Sequence, residues 1–215
     1  MQNIIPAILT ADPADLRQKL ELFRGHSNWM HIDIMDGTLV SGKTVNLFEL
    51  GEVSKFFNLE IHLMVQDPFK YFEDCAGLGA KRVIFHVEAV REQEHMLSAL
   101  DSCNFQKGIA FNKTTSLELV PAYAQKISSI LFMGVEPGAQ GRSFDNVVLP
   151  KIQKAKEMYP DFLLGVDGGI GKENIQSVFT TGADYAVVGS EIMNAEDPLS
   201  VFKSLEEVVQ STEAP

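Results

Sequence analysis

Short apolar runs recur along the chain, and each is followed by a stretch whose apolar residues stand three, four or seven apart. The runs occupy residues 4–9, 30–35, 59–65, 82–87, 108–111, 130–135, 162–166 and 185–189. The intervening stripes are Leu16, Leu20 and Phe23; Phe48, Val53 and Phe56; Phe69 and Phe72; Leu97 and Leu100; Leu117 and Leu119; Ile152 and Met158; Ile175, Val178 and Phe179; and Val201, Leu205 and Val208. Such spacing gathers apolar side chains on one face of a helix. The runs are short and rich in Ile, Val and Phe, which suits strands covered on both faces, as in a parallel sheet. Eight strand–helix repeats predict an α/β fold, a single (β/α)₈ TIM barrel. A doubly wound open sheet is the structural alternative, but six strands suffice for it and two would be surplus. No Pro-, Gly- or Ser-rich linker divides the chain, so residues 1–215 are expected to form one barrel domain, with residues 211–215 frayed at the end.

Composition narrows the picture. With 45% hydrophobic and 22% charged residues, the chain is of ordinary globular type and rich enough in aliphatics to build a core. A formal net charge of −11 argues against a nucleic-acid partner, because such partners are held by Lys and Arg. It does not exclude a small phosphate ester, since backbone N–H groups hold phosphate without net positive charge. Two cysteines, Cys75 and Cys103, form neither a disulfide framework nor a Cys-based zinc site and are expected to be reduced and buried. No secretory leader and no apolar run of membrane-spanning length is evident, so a cytoplasmic protein without membrane contact is expected.

Polar residues interrupt strands that should be apolar. In the second run His31, Asp33 and Met35 alternate and so share a face; in the third, His62 and Met64 do the same. The seventh ends at Asp167, followed by Gly168 and Gly169. His31, Asp33, His62 and Asp167 thus stand near the carboxyl ends of strands, the rim on which barrels build their sites. Taken one at a time, each could be an isolated, satisfied polar residue. Together, two imidazoles and two carboxylates make a mixed N/O set suited to one divalent metal ion, Zn²⁺, Fe²⁺, Mn²⁺ or Co²⁺. The same end of the barrel carries Gly138 and Gly141 after the sixth strand, Gly168 and Gly169 after the seventh, and Gly189 and Ser190 after the eighth. Turn glycines are common, but three clusters in neighbouring loops predict a phosphate cradle, with Arg142 as a candidate cation beside it.

One motif competes. Residues 37–44, from Gly37 to Lys43 and Thr44, match the P-loop pattern G-x-x-x-x-G-K-[ST] in full. A P-loop normally follows the first strand of its domain, whereas this one follows the second, and that reading leaves His31, His62 and the late glycines without a role.

In order along the chain, these segments resemble the ribulose-phosphate 3-epimerase family. Pro6-Ala7-Ile8-Leu9-Thr10-Ala11-Asp12 is similar to its opening P-S-I-L-S-A-D, and His31-Ile32-Asp33-Ile34-Met35-Asp36-Gly37 to H-V-D-V-M-D-G. His62-Leu63-Met64-Val65 matches H-L-M-V; Phe85-His86-Val87-Glu88-Ala89 resembles F-H-x-E-A. Met133-Gly134-Val135-Glu136-Pro137-Gly138 is similar to M-S-V-N-P-G; Val166-Asp167-Gly168-Gly169-Ile170 matches V-D-G-G-I, and Val188-Gly189-Ser190 resembles A-G-S. The resemblance implies a (β/α)₈ barrel that interconverts ribulose 5-phosphate and xylulose 5-phosphate by inversion at C3. It further implies that His31, Asp33, His62 and Asp167 hold the metal, that Asp33 and Asp167 are the catalytic acid/base pair, and that Met35, Met64 and Met133 line the pocket. A sugar-phosphate ligand and a homo-oligomer follow from the same likeness. In that alignment the P-loop match falls on the family's D-G-x-F-V-P-N-x-T loop, with Ser41 and Gly42 in place of Pro and Asn. Ala7 replaces a serine that hydrogen-bonds substrate in the family, and Ala139, Gln140 and Arg142 replace Phe, Gly and Gln after the sixth strand. These departures bear on the substrate, leaving open a hexulose phosphate such as allulose 6-phosphate, or a barrel that binds a sugar phosphate without turning it over.

Overall fold

The computed structural model describes residues 3–138 and 141–213. The eight apolar runs form strands β1 (Asn3–Ile8), β2 (Trp29–Met35), β3 (Asn58–Met64), β4 (Arg82–His86), β5 (Gln106–Phe111), β6 (Ser129–Met133), β7 (Leu163–Asp167) and β8 (Tyr185–Val188). Every neighbouring pair is parallel, and β1 pairs with β8, so the sheet closes into a barrel in chain order. The open doubly wound sheet is thereby excluded. Several ends differ by one or two residues from the apolar runs. β6 ends at Met133, and the next N–H, of Gly134, still donates to the Asp167 carbonyl of β7 at 2.6 Å.

Outside the barrel, the helices are α1 (Pro13–Phe23), α2 (Phe72–Gly77), α3 (Gln93–Asp101), α4 (Leu149–Met158), α5 (Ile175–Thr180), α6 (Ser190–Met193) and α7 (Pro198–Glu213). α1 shows how the sequence sets one up. Asp12 accepts a bond from the Ala14 N–H at 2.9 Å, Pro13 occupies the first turn, and Leu16, Leu20 and Phe23 face inward, fully buried. Each such side chain contributes about 1.5–3 kcal/mol by leaving water.

Two expected helices are not α-helical, and a third is so only in its second part. Residues Leu47–Leu50 and Glu52–Phe56 form two 3₁₀ turns split by Gly51 at φ 59°, and Phe48 and Phe56 of the expected buried stripe are exposed. Phe56 is instead capped by the Arg24 guanidinium, 3.6 Å from the ring centroid. Pro68–Tyr71 is another 3₁₀ turn before the short α2. Leu117–Ala122 is also 3₁₀ and contains Pro121, which has no N–H to extend a helix. The tail expected to fray is helical through Glu213, while residues 214–215 lie outside the described residues. Both cysteines are free; Cys75 is buried as expected, but Cys103 is only half-buried.

Side chains divide between two interiors. Those pointing outward from the strands join the helices in the main core. Those pointing inward form a separate cluster that includes Ile5, Ala7, Ile84, Ala110, Leu131, Met133, Tyr185 and Val187. The inner space is crowded enough to require glycine. A Cβ on Gly165 would lie 2.2 Å from the Tyr185 ring, and one on Gly108 2.4 Å from the Ser129 hydroxyl. Gly165→Ala is expected to destabilise the barrel by about 1–3 kcal/mol, read as a lower urea midpoint; an unchanged midpoint would contradict this packing.

Candidate metal and phosphate site

Strand register brings the polar residues together. β2 pairs with β3 so that His31 lies opposite Glu60, Asp33 opposite His62 and Met35 opposite Met64. Asp167 enters from the end of β7, opposite Met133. His31, Asp33, His62 and Asp167 are all buried and offer ligand atoms within 4.8 Å of one another. His31 presents Nε2 to Asp33 at 3.2 Å and to Asp167 at 3.9 Å. His62 presents Nδ1 to Asp33 at 3.0 Å and to Asp167 at 3.5 Å. Two imidazole nitrogens and two carboxylates facing one point fit a divalent ion by number and donor type, so the cluster could hold a metal.

The opposite ring nitrogens are also engaged. His31 Nδ1 lies 2.6 Å from Glu60 Oε1, and the other Glu60 oxygen accepts from Arg82 Nε. His62 Nε2 lies 3.0 Å from His86 Nε2, and His86 Nδ1 lies 3.2 Å from Glu88. Glu88 accepts further bonds from the Asn112 N–H at 2.9 Å and the Thr115 hydroxyl. Glu60, Arg82, His86 and Glu88 are not among the site residues expected from the sequence. A signal exists for three of them: Glu60 shares a strand face with His62, and His86 and Glu88 belong to the F-H-x-E-A match.

Charge follows the same pattern. Burial disfavours the ionised Asp33 carboxyl, but the charges and hydrogen bonds of His31 and His62 prevail and hold its pKa below the usual range. Burial lowers the His31 pKa, yet Asp33 and Glu60 raise it well above the ordinary value; Asp167 and Asp33 raise that of His62 in the same way against burial. For Glu60, burial is outweighed by the Arg82 charge and the His31 bond, so its pKa falls. Burial also opposes ionisation of Glu88, but His86, Thr115 and the Asn112 N–H bring its pKa down to about 2.

Above the cluster, a cavity of about 50 Å³ is lined by Ala7, Asp33, Asp167, Met64 and Met133 and by all the expected loop residues: Gly138, Gly141, Arg142, Gly168, Gly169, Gly189 and Ser190. Met35 is not among its lining; the methyl end of its side chain packs toward Gly42 instead. Gly141, Arg142, Gly169, Ile170 and Ser190 also border a larger cleft of about 660 Å³. These loop residues therefore form the neck between an inner pocket and an outer cleft. The close fit of the sixth and seventh loops needs glycine at Gly169, which has φ 69° and would place a Cβ 2.5 Å from the Phe144 nitrogen. Arg142 is exposed at the neck and makes no ion pair among the described residues. Ala139 and Gln140, the other departures in this loop, lie outside the described residues.

Residues 37–44 cross the mouth: a Cβ on Gly138 would lie 3.0 Å from Val40 Cβ. This loop is shaped by Asp36, whose carboxylate accepts from the N–H groups of Thr38 at 2.8 Å and Gln66 at 3.0 Å. Lys43 lays its stem against Gly37, and the chain continues into a 3₁₀ turn instead of a helix. The P-loop reading therefore lacks the helix N-terminus that would bind phosphate.

Fold and donor set together define a (β/α)₈ barrel whose carboxyl rim joins a potential metal centre to a glycine-lined neck. Residues 3–193 match the model of the ribulose-phosphate 3 epimerase family. The chain is 29% identical over 217 residues to ribulose-phosphate 3-epimerase of Schizosaccharomyces pombe, covering 98% of this chain and 95% of that one. It is 30% identical over 205 residues to the Bacillus subtilis enzyme of the same name, covering 92% and 94%. Among solved structures, KGPDC from Streptococcus mutans superposes with a TM-score of 0.77 over 99% of both chains, at 13% identity, a likeness of fold alone. The chain belongs to the ribulose-phosphate 3-epimerase family, a family of carbohydrate epimerases.

The raised His31 and His62 pKa values have a sign that can be tested. Without a metal these rings hold protons that a metal must displace, so metal binding releases protons and tightens as pH rises. Calorimetric zinc titrations in buffers of different ionisation enthalpy are expected to show net proton release and higher affinity at about pH 8 than at about pH 6. Affinity independent of pH across that range would contradict the assignment.

Proposed function

We propose that the chain is a metal-dependent epimerase that inverts C3 of a ketose phosphate, with D-ribulose 5-phosphate and D-xylulose 5-phosphate as its pair. The observation that carries this reading is that Asp33 and Asp167, from β2 and β7, line one small pocket whose opposite wall is the glycine neck. The reaction requires a proton to leave one face of C3 and another to reach the opposite face. Asp33 and Asp167, on separate strands, are suited to remove the proton and to return one; the roles exchange in the reverse direction. A divalent ion held by His31, Asp33, His62 and Asp167 would supply Lewis-acid stabilisation of the developing enediolate charge. Met64 and Met133 exclude water from the reacting carbons. The phosphate sits at the neck, against backbone N–H groups around Gly141, Gly168, Gly169, Gly189 and Ser190, with Arg142 beside it. The donor set accepts Zn²⁺, Fe²⁺, Mn²⁺ and Co²⁺ alike. The cytoplasmic setting and self-association expected from the sequence belong to the same reading.

Ala7 favours a second substrate. Its small side chain leaves the floor of the pocket without a hydroxyl, and the pocket opens through the neck into the larger cleft, an arrangement that accommodates a hexulose phosphate.

Metal-loaded protein in D₂O is expected to exchange the C3 proton of ribulose 5-phosphate, followed by NMR, in parallel with allulose 6-phosphate. Faster exchange on the hexulose would replace the pentulose reading, and tight binding without exchange on either would leave only the binding barrel. Asp33→Asn and Asp167→Asn are each expected to lower the rate by about 10²–10⁴-fold. Full activity in either variant would contradict its role. Arg142→Ala is expected to raise KM with little change in kcat, and an unchanged KM would remove Arg142 from the phosphate site.

A further inference from the structure

Beneath the four candidate ligands, the barrel encloses a second polar group that the proposed chemistry does not use. Glu60 is wholly buried on β3. One of its oxygens lies 2.6 Å from His31 Nδ1, and the other accepts from Arg82 Nε. Arg82 is 2% exposed. Its guanidinium is held between two rings, 4.7 Å from the Trp29 centroid and 4.5 Å from that of Tyr185 across the barrel. Tyr185 in turn occupies the space that Gly165 leaves by lacking a side chain. Arg82 thus has little freedom to move, and a guanidinium can only donate.

We propose that Arg82 and Glu60 form a polarity lock that fixes the tautomer of His31 and so readies it as a metal ligand. Arg82 donates, so the Glu60 oxygen facing it must accept. The carboxylate presents a second acceptor to His31 Nδ1, which must then carry its proton. That leaves Nε2, the nitrogen facing Asp33 and Asp167, free of a proton when a metal is bound. Arg82 and Glu60 are positioning residues, acting through His31 and touching no substrate. His62 is treated differently: its outer nitrogen meets another imidazole, His86, which in turn reaches the carboxylate of Glu88. The lock rests on the metal centre argued above.

The lock has a consequence that shape alone does not. Glu60→Gln changes one acceptor atom to a donor. Arg82 still demands an oxygen, so the nitrogen of the new amide turns toward His31 Nδ1 and donates to it. The His31 proton is then forced onto Nε2, where a metal would bind. Removing the donor as well, in Glu60→Gln/Arg82→Met, lets the amide turn over and accept from Nδ1 again. In the double variant no buried cation is left beside a neutral amide.

The test is Co²⁺ titration by visible absorption on the parent, E60Q and E60Q/R82M, with circular dichroism to check folding. E60Q is expected to bind Co²⁺ about 10- to 100-fold more weakly than the parent, and the double variant to regain most of that loss. Equal affinity in parent and E60Q, or an equal loss in both variants, would overturn the lock. A parent that binds no Co²⁺ would instead overturn the metal centre itself. One measurement needs no variant: a long-range ¹⁵N–¹H correlation spectrum of the zinc-loaded parent is expected to place the His31 proton on Nδ1. A proton on Nε2 would refute the proposal even if E60Q failed to fold.

Discussion

A closed eight-stranded barrel has no solvent between its strands, so a carboxylate, imidazole or guanidinium pointing inward must find its partner among the other inward side chains. An unmatched buried donor or acceptor costs about 1–3 kcal/mol. This constraint organises the interior of the protein. From Arg82 through Glu60 and His31 to Asp33, and from Asp33 through His62 and His86 to Glu88, each polar group is met by the next. The line ends where water begins, at Glu88 with its bonds from Asn112 and Thr115. The place where it does not close on itself is the point shared by His31, Asp33, His62 and Asp167. There, two carboxylates and two imidazoles face one another, and a divalent cation would complete the balance of charge.

The two ends of the barrel serve different needs. Toward the amino ends of the strands, Trp29, Arg82 and Tyr185 stack into a floor that tolerates no added atom, as the approach of Gly165 to Tyr185 demonstrates. Toward the carboxyl ends, backbone replaces side chain. Loops after β6 and β7 meet at Gly134, Gly168 and Gly169 with contacts that no Cβ could enter. That closeness leaves the neck of the pocket lined by backbone and small residues, with Arg142 beside them.

Much of this was legible in the sequence because period two is strict in a strand. His31 and Asp33, two residues apart, had to share a face, and they do; the apolar runs located all eight strands to within two residues at most ends. The four candidate ligands and the neck residues came together as expected. What was not legible depended on contacts between strands. Glu60 shares a face with His62, but its partners are set by the register that places it opposite His31 and beside Arg82. Met35 shares a face with His31 and Asp33, yet at the strand's end it packs under the loop carrying Gly42, not into the pocket. The stripe at Phe48 and Phe56 had helical spacing, but Gly51 broke it into two 3₁₀ turns and left both rings exposed. The P-loop pattern at 37–44 shows the converse: a complete local motif without the strand–helix context that gives it chemistry.

Whether the interior hydrogen-bonded line converges on a metal centre is decided by anomalous diffraction from crystals grown with zinc, collected on both sides of the zinc absorption edge. One peak inside the barrel, within bonding distance of His31 Nε2, His62 Nδ1, Asp33 and Asp167, is the result expected. A zinc-saturated crystal with no peak among these four residues, or with its ion bound elsewhere, would contradict it.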